Sequence, residues 1–127
     1  MGTKTAEAKT CTILVVDDDA AMRSLLVDEL REEGFQVMEA TNGKEALSQV
    51  GLFTPDLIIT DLKMPFGDFD YLRRLKAAVP TCPVILITAF GDSQTQATVR
   101  ELGVSVYLEK PMRIADLKVA IGQLWGI

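Results

Sequence analysis

Short apolar runs alternate along the chain with longer segments whose apolar residues recur at helical spacing. Three runs are apolar or β-branched throughout, which predicts strands buried on both faces; they are 12–16, 57–60 and 84–87. Two runs alternate between apolar and polar residues, which predicts strands at the sheet edges; they are 35–40 and 104–108. A helical segment follows each strand, so we predict a parallel sheet with helices on both faces.

The first predicted helix, at 20–33, has apolar residues at i, i+3, i+4 and i+8 counted from Met22. Asp19 stands before it at the N-cap position, and Gly34 follows it where a helix stop is expected. The other predicted helices are a short one carrying Ala46, Leu47 and Val50, then 68–79, 92–102 and 114–125. The helix at 92–102 is rich in Thr and Gln, so we expect it to be the most mobile.

The chain has 127 residues, the size of a single domain with its own core. Its net charge of −5 argues against nucleic acid as a direct partner. No apolar run approaches the ~18 residues of a membrane-spanning helix, and the polar N-terminus lacks the apolar core of a secretory signal. We therefore expect a cytoplasmic protein, with no membrane contact, a flexible tail at 1–10 and one domain at 11–127.

Histidine is absent from the chain, and there are two cysteines. Cys11 and Cys82 belong to no CxxC pair, which predicts two small apolar side chains rather than a disulfide or a metal site. The absence of imidazole excludes His-containing metal sites and catalytic triads. Any chemistry must therefore use carboxylates, hydroxyls, lysine and a metal ion.

Polar side chains end each of the three central strands. Asp17 and Asp18 follow the first, Asp61 follows the second, and Thr88 ends the third. Because ligands bind at the carboxyl ends of parallel strands, we expect these side chains in one crevice, with Lys110 beside them. Carboxylates without His or Cys favour a hard cation, Mg²⁺ first and Mn²⁺ second. A hydroxyl and an ammonium suit a phosphoryl group, which a carboxylate can accept as the nucleophile.

Four motifs at the strand ends together resemble the receiver domain of two-component response regulators over residues 11–127. The motifs are Val16-Asp17-Asp18-Asp19, Asp61-Leu62-Lys63-Met64-Pro65, Ile87-Thr88-Ala89 and Lys110-Pro111. The resemblance implies a flavodoxin-like α/β fold, a doubly wound five-stranded parallel sheet of order 2-1-3-4-5 with five helices. It also implies a cis bond between Lys110 and Pro111 that aims the lysine inward.

The resemblance assigns roles to the acidic residues. Asp61 would be the phosphoryl acceptor, and the donor would be the phosphohistidine of a histidine kinase or of a phosphotransfer protein. Asp17 and Asp18 would hold Mg²⁺ together with Asp61 and the backbone carbonyl of Lys63.

A switch mechanism is also implied by the resemblance. Thr88 and Lys110 would bind the phosphoryl oxygens, and Tyr107 would be the aromatic switch residue. Phosphorylation would draw Thr88 inward and leave room for Tyr107 to rotate. The surface of the fourth helix, the fifth strand and the fifth helix would then change, and an output domain or a second copy of the chain would bind there.

The lifetime of the phosphorylated state depends on water reaching the phosphorus in line with the Asp61 oxygen. In the family fold the side chains flanking that path are two past the acceptor and two past the threonine, here Lys63 and Phe90. Neither can orient an attacking water. We therefore expect slow self-dephosphorylation, and no enzymatic activity beyond the protein's own phosphorylation and dephosphorylation.

Other interpretations apply to single residues and to the whole chain. Asp19 fits an N-cap better than a metal ligand, Thr88 could satisfy a strand end, and Tyr107 could be an ordinary edge-strand residue. A pseudo-receiver that binds partners without phosphorylation is the main alternative function. A haloacid-dehalogenase-type phosphatase is disfavoured because Ala21 stands where its motif needs Thr. A flavodoxin-type cofactor module is disfavoured because no phosphate-binding loop follows the first strand.

The loop after the acceptor departs from the family pattern. Receivers commonly have Met-Pro-x-Met-Asp-Gly there, whereas this chain has Met64-Pro65-Phe66-Gly67-Asp68-Phe69. The second methionine is missing, the glycine is displaced, and the loop is one residue shorter before Arg73. The course of this loop and the start of the third helix therefore cannot be carried over from the family.

Overall fold

The computed structural model describes residues 11–65, 67–89 and 92–126. Five strands form one parallel sheet in the order β2-β1-β3-β4-β5. They are β1 Thr12–Val16, β2 Gln36–Ala40, β3 Leu57–Thr60, β4 Val84–Thr88 and β5 Val106–Glu109. Five helices follow them in alternation: α1 Ala20–Glu32, α2 Gly43–Leu52, α3 Phe69–Ala78, α4 Ser93–Glu101 and α5 Ile114–Trp125. The predicted fold class and strand order are confirmed.

The sheet separates two apolar cores, because successive side chains of a strand point to opposite faces. Along β1, Leu14 and Val16 face the core shared with α2, α3 and α4. Ile13 and Val15 face the core shared with α1 and α5. Each fully buried Leu or Ile stabilises the fold by about 1.5–3 kcal/mol relative to an exposed one. The two cores hold the strands in register and so fix where each strand ends.

The edge strands are shorter than their sequence pattern predicts. The predicted strand at 104–108 begins instead at Val106, because Gly103 has a positive φ of 100° and the Val104 N–H donates to the Val99 carbonyl at 3.1 Å. Those residues therefore end α4. The predicted strand at 35–40 begins at Gln36, because the Phe35 N–H donates to the Leu30 carbonyl at 3.3 Å.

Side-chain caps begin four of the helices. Asp19, Asn42, Asp68 and Asp92 each accept a hydrogen bond from a backbone N–H of the first turn. The predicted cap role of Asp19 is confirmed, since its carboxylate accepts from two amides. Among the described residues no helix has the length and apolar character needed to cross a membrane. The predicted tail at 1–10 lies outside the described residues.

The cysteines do not form a disulfide. Cys11 directly precedes β1 and Cys82 lies two residues before β4. Strand β3 separates these two strands in the sheet. Cys82 is buried in the core beside α3, as expected for a small apolar side chain.

The loop after β3 is a tight turn in the structure. The Gly67 N–H donates to the Met64 carbonyl at 3.0 Å, and the Gly43 N–H at the start of α2 donates to the Pro65 carbonyl at 3.1 Å. A Cβ atom on Gly67 would lie 2.7 Å from the Leu62 carbonyl oxygen and 2.7 Å from Cγ of Met64. The glycine is therefore required at this position by close approach of the backbone.

We predict that Gly67→Ala destabilises the protein by about 1–3 kcal/mol, because the new methyl group cannot fit without moving the backbone of the loop. The matched control is Gly51→Ala, since nothing lies within 4 Å of a Cβ at this helical position. That control should be neutral or stabilising by up to about 1 kcal/mol. Urea unfolding of both variants provides the measurement. Equal stability of Gly67→Ala and wild type would show that the loop is not constrained in this way.

Candidate functional site

The site lies at the carboxyl ends of β1, β3 and β4, where the strand order reverses between β1 and β3. Such a reversal opens a crevice above an α/β sheet. The Asp61 N–H donates to the Val16 carbonyl at 3.0 Å, and the Asp17 N–H donates to the Ala40 carbonyl at 3.1 Å. The hydrogen bonds of the sheet therefore hold the backbone of both aspartates at the mouth of the crevice.

Three carboxylates meet in this crevice. Asp17, Asp18 and Asp61 each offer one oxygen atom, and these atoms all lie within 4.8 Å of one another. Asp17 is 3% exposed and Asp61 is 5% exposed, whereas Asp18 is open to solvent. An all-oxygen donor set with one open side suits a hard divalent cation that keeps part of its water shell. These three residues could therefore hold a magnesium ion.

Lys110 provides the positive charge of the site. Its Nζ atom lies 2.8 Å from Oδ2 of Asp61 and 3.4 Å from Oδ2 of Asp17. The peptide bond between Lys110 and Pro111 is cis, and the Lys110 N–H donates to the Thr88 carbonyl at 2.8 Å. Burial acts to lower the pKa of Lys110, but its interactions with Asp61 and Asp17 outweigh that effect and raise the pKa. The ammonium group therefore stays charged.

Backbone amides orient the two buried carboxylates. Oδ1 of Asp61 accepts from the N–H of Leu62 at 2.6 Å and from the N–H of Lys63 at 3.1 Å. Oδ1 of Asp17 accepts from the Asp19 N–H at 2.9 Å. Burial nevertheless raises the pKa of Asp17 more than this hydrogen bond and the charge of Lys110 lower it. Lys110 thus offsets only part of the negative charge of the three carboxylates.

The residues expected to form the switch lie on β4, on β5 and in the loop after β3. Thr88 ends β4 and is 1% exposed. Tyr107 pairs with Leu86 across the sheet, is half-buried and packs against the core beside α3 and α4. Lys63 is exposed, two residues past Asp61. Phe90, predicted to limit access of water, lies outside the described residues.

Three residues near the site were missed by the sequence analysis. Nη1 of Arg23 donates to the Asp17 carbonyl at 2.7 Å, and its Nε donates to Glu39 at 3.2 Å. Thr60 and Tyr71 form a buried hydrogen bond directly behind Asp61. In the sequence, an arginine one turn into α1, after the strand that precedes Asp17, could have indicated the first contact. The hydroxyl of Thr60 in the otherwise apolar run of β3 could have indicated the second.

A family model matches most of the chain. Residues 13–122 match the response regulator receiver domain family. The chain therefore belongs to that family, whose general role is phosphorylation-dependent switching in two-component systems.

Curated relatives are similar over most of the chain. Transcriptional regulatory protein PdtaR of Mycobacterium tuberculosis is 37% identical over 110 residues, which is 86% of this chain and 54% of that protein. The chain thus spans about half the length of this relative. Sporulation initiation phosphotransferase F of Bacillus subtilis is 36% identical over 110 residues, which is 86% of this chain and 89% of that protein.

A solved structure gives the same fold. A CheY-like response regulator receiver domain protein from Methanospirillum hungatei JF-1 superposes with a TM-score of 0.86 at 25% identity. The superposition covers 90% of this chain and 92% of that chain.

We predict that Lys110→Met destabilises the protein by about 3 kcal/mol when no divalent cation is present. The reason is that two buried carboxylates lose their shared counter-ion. Added Mg²⁺ should recover part of the loss, because binding to the folded state stabilises it by mass action. Urea unfolding with and without MgCl₂ measures both effects.

The control for this variant is Lys118→Met, which removes an exposed lysine paired with Glu29 and Glu33 on the helical surface. Exposed ion pairs contribute little to stability. The control should therefore have a free energy of unfolding close to that of wild type. Mg²⁺ should stabilise it as much as it stabilises wild type. An equal response of Lys110→Met and Lys118→Met to Mg²⁺ would contradict the charge imbalance inferred for the crevice.

Proposed function

We propose that the chain is a phosphorylation-activated switch of a two-component system, in which Asp61 accepts a phosphoryl group from a histidine kinase or a phosphotransfer protein. One observation carries the proposal. Asp61 is a buried carboxylate with one oxygen held by two backbone amides and the other by Lys110, beside two further carboxylates. The similarity to a sporulation phosphotransferase supports the same reaction class.

The proposed reaction is an in-line displacement at phosphorus. An oxygen of Asp61 forms the new O–P bond while the P–N bond to the donor histidine breaks, and the imidazole leaves with the electron pair of that bond. A Mg²⁺ ion held by Asp17, Asp18, Asp61 and the Lys63 carbonyl would neutralise charge on the phosphoryl oxygens. Nζ of Lys110 already lies 2.8 Å from Oδ2 of Asp61. Its ammonium group can therefore donate to the phosphoryl oxygens without a large movement.

The output of the switch is proposed to be a change of surface. Phosphorylated Asp61 would carry about 1.5–2 negative charges on its phosphoryl oxygens, and the Thr88 hydroxyl can donate a hydrogen bond to one of these oxygens. Movement of Thr88 would free space for Tyr107, which packs partly buried in the adjoining edge strand. Helix α4 buries a single residue, Val99, among its nine and is thus weakly anchored. The surface formed by α4, β5 and α5 would then bind an output domain or a second copy of the chain.

We propose that the switch acts in the cytoplasm, where kinases of this type present their phosphohistidine. The acidic charge of the chain argues against direct binding of nucleic acid. We propose no catalysis of an external substrate, only self-catalysed phosphorylation and dephosphorylation. A pseudo-receiver that never accepts phosphate is the alternative, and the three carboxylates with Lys110 argue against it.

The test is binding of beryllofluoride with Mg²⁺, an analogue of the phosphoryl group, followed by amide NMR. Wild type should bind it, and Asp61→Asn should not, because the acceptor oxygen is lost. Asp28→Asn is the control, since Asp28 is an exposed residue of α1. Binding that survives Asp61→Asn, or no binding to wild type, would favour the pseudo-receiver.

The same spectra report on the output surface. Binding should shift amide signals in α4, β5 and α5 as well as those around the three carboxylates. Signals that change only around the carboxylates would contradict the proposed change of surface, even if Asp61 accepts the analogue.

Slow loss of the phosphoryl group is a further expectation of this proposal. Hydrolysis needs a positioned water, and the side chains expected to flank its path, Lys63 and Phe90, offer no carboxylate or amide to hold one. Lys63→Asn and Phe90→Glu should therefore each speed dephosphorylation, and the double variant should exceed both. A tenfold change in rate corresponds to about 1.4 kcal/mol. The decay of phosphorylated protein over time is the measurement, and unchanged or slower decay in the variants would refute the role of these two positions.

A further inference from the structure

A buried pair of hydroxyl groups lies directly behind the acceptor. Thr60 is the last residue of β3 and is fully buried, and Tyr71 of α3 is 2% exposed. Oγ1 of Thr60 lies 2.9 Å from the Tyr71 hydroxyl oxygen. The same Oγ1 donates to the backbone carbonyl of Asp61 at 2.8 Å.

The direction of these hydrogen bonds follows from counting protons. A hydroxyl group has one hydrogen, and a carbonyl oxygen can only accept. The Thr60 hydrogen is used on the Asp61 carbonyl, so the Tyr71 hydroxyl must donate to Thr60. Burial raises the pKa of Tyr71 above its usual value, so its phenol keeps this proton near neutral pH. We call this chain of two hydrogen bonds the hydroxyl relay.

The relay acts on the acceptor through a single peptide plane. The carbonyl of Asp61 and the N–H of Leu62 belong to the same peptide group, which is planar. Holding the carbonyl oxygen therefore fixes the direction of the Leu62 N–H. That N–H donates to Oδ1 of Asp61 at 2.6 Å, the shorter of the two amide hydrogen bonds to this oxygen. The orientation of the Asp61 carboxylate is thus linked to the relay.

Packing alone does not explain these hydroxyl groups. The core around Tyr71 is otherwise apolar, with Leu72 and Leu75 on the same helix. A buried hydroxyl loses its hydration, and a hydrogen bond only offsets that cost. Valine and phenylalanine have nearly the shapes of threonine and tyrosine. They would fill the same space without the cost of burying a hydroxyl group. What the hydroxyl groups add is a hold on the Asp61 carbonyl.

We infer that Thr60 and Tyr71 are positioning residues for phosphoryl acceptance, acting through the Asp61–Leu62 peptide on the acceptor carboxylate. This inference rests on the proposed function of Asp61. Loss of the relay leaves the Asp61 carbonyl without its hydroxyl donor and lets the peptide turn, so the carboxylate spends less time in the reactive orientation. The maximum rate of phosphorylation should fall about fivefold, the factor expected for one neutral hydrogen bond. The donor concentration giving half that rate should change little, because the donor does not contact the relay.

The experiment measures phosphorylation by acetyl phosphate at saturating Mg²⁺ with intact-protein mass spectrometry, over a range of donor concentrations. Thr60→Val keeps the shape and removes the relay, whereas Thr60→Ser keeps the hydroxyl and removes a buried methyl group. Tyr71→Phe removes the far hydroxyl only. Ile59→Val shortens a neighbouring buried side chain that faces the opposite core and serves as the control for lost stability.

The expected result separates hydrogen bonding from packing. Thr60→Val should lower the maximum rate about fivefold, Tyr71→Phe by the same factor or less, and the double variant no further than Thr60→Val. Thr60→Ser and Ile59→Val should react at the wild-type rate although both are less stable. Wild-type rates for both Thr60→Val and Tyr71→Phe would overturn this inference but not the proposed function. So would a loss of rate in Thr60→Ser equal to that in Thr60→Val. Failure of wild type to accept phosphate would overturn the proposed function and the inference with it.

Discussion

The structure depends on burying two carboxylates beside a single ammonium group. Asp17 and Asp61 are almost fully buried, and Lys110 contacts both. Taking charges out of water is costly unless partners replace the lost hydration. Backbone amides and Lys110 replace part of it, and Asp18 adds a third negative charge nearby. The remaining negative charge is the physical basis for the proposal that the crevice holds a divalent cation and then a phosphoryl group.

The fold supplies the rigidity that this arrangement needs. Both aspartates take their backbone positions from hydrogen bonds of the sheet, and Lys110 contacts them from the loop directly after the edge strand β5. The tight turn at Gly67 ties the loop after Asp61 to the start of α2. The proposed phosphoryl transfer needs such fixed groups, because an in-line displacement depends on holding the attacking oxygen and its charged partners in place.

Membership of the receiver family accounts for the general role, phosphorylation-dependent switching. Asp68 caps α3, which begins at Phe69, one residue after the predicted start of this helix. The hydroxyl pair formed by Thr60 and Tyr71 lies between that helix and the acceptor. Helix α3 is thereby joined to the backbone of Asp61 by hydrogen bonds, in addition to its apolar packing on the sheet.

Local pattern determined much of what could be read from the sequence alone. Runs such as Ile13 to Val16 are apolar on both faces because both faces of these strands are buried. This pattern identified the central strands and hence the residues at their ends. The start of β5 could not be read in this way, because Val104 alternates like a strand residue but its N–H closes α4. The contacts of Arg23 with Asp17 and of Tyr71 with Thr60 join residues from different parts of the fold. The spacing of apolar residues within one helix or strand therefore does not predict them. Only the packing of helices on the sheet decided those distances, and through them how firmly the acceptor is held.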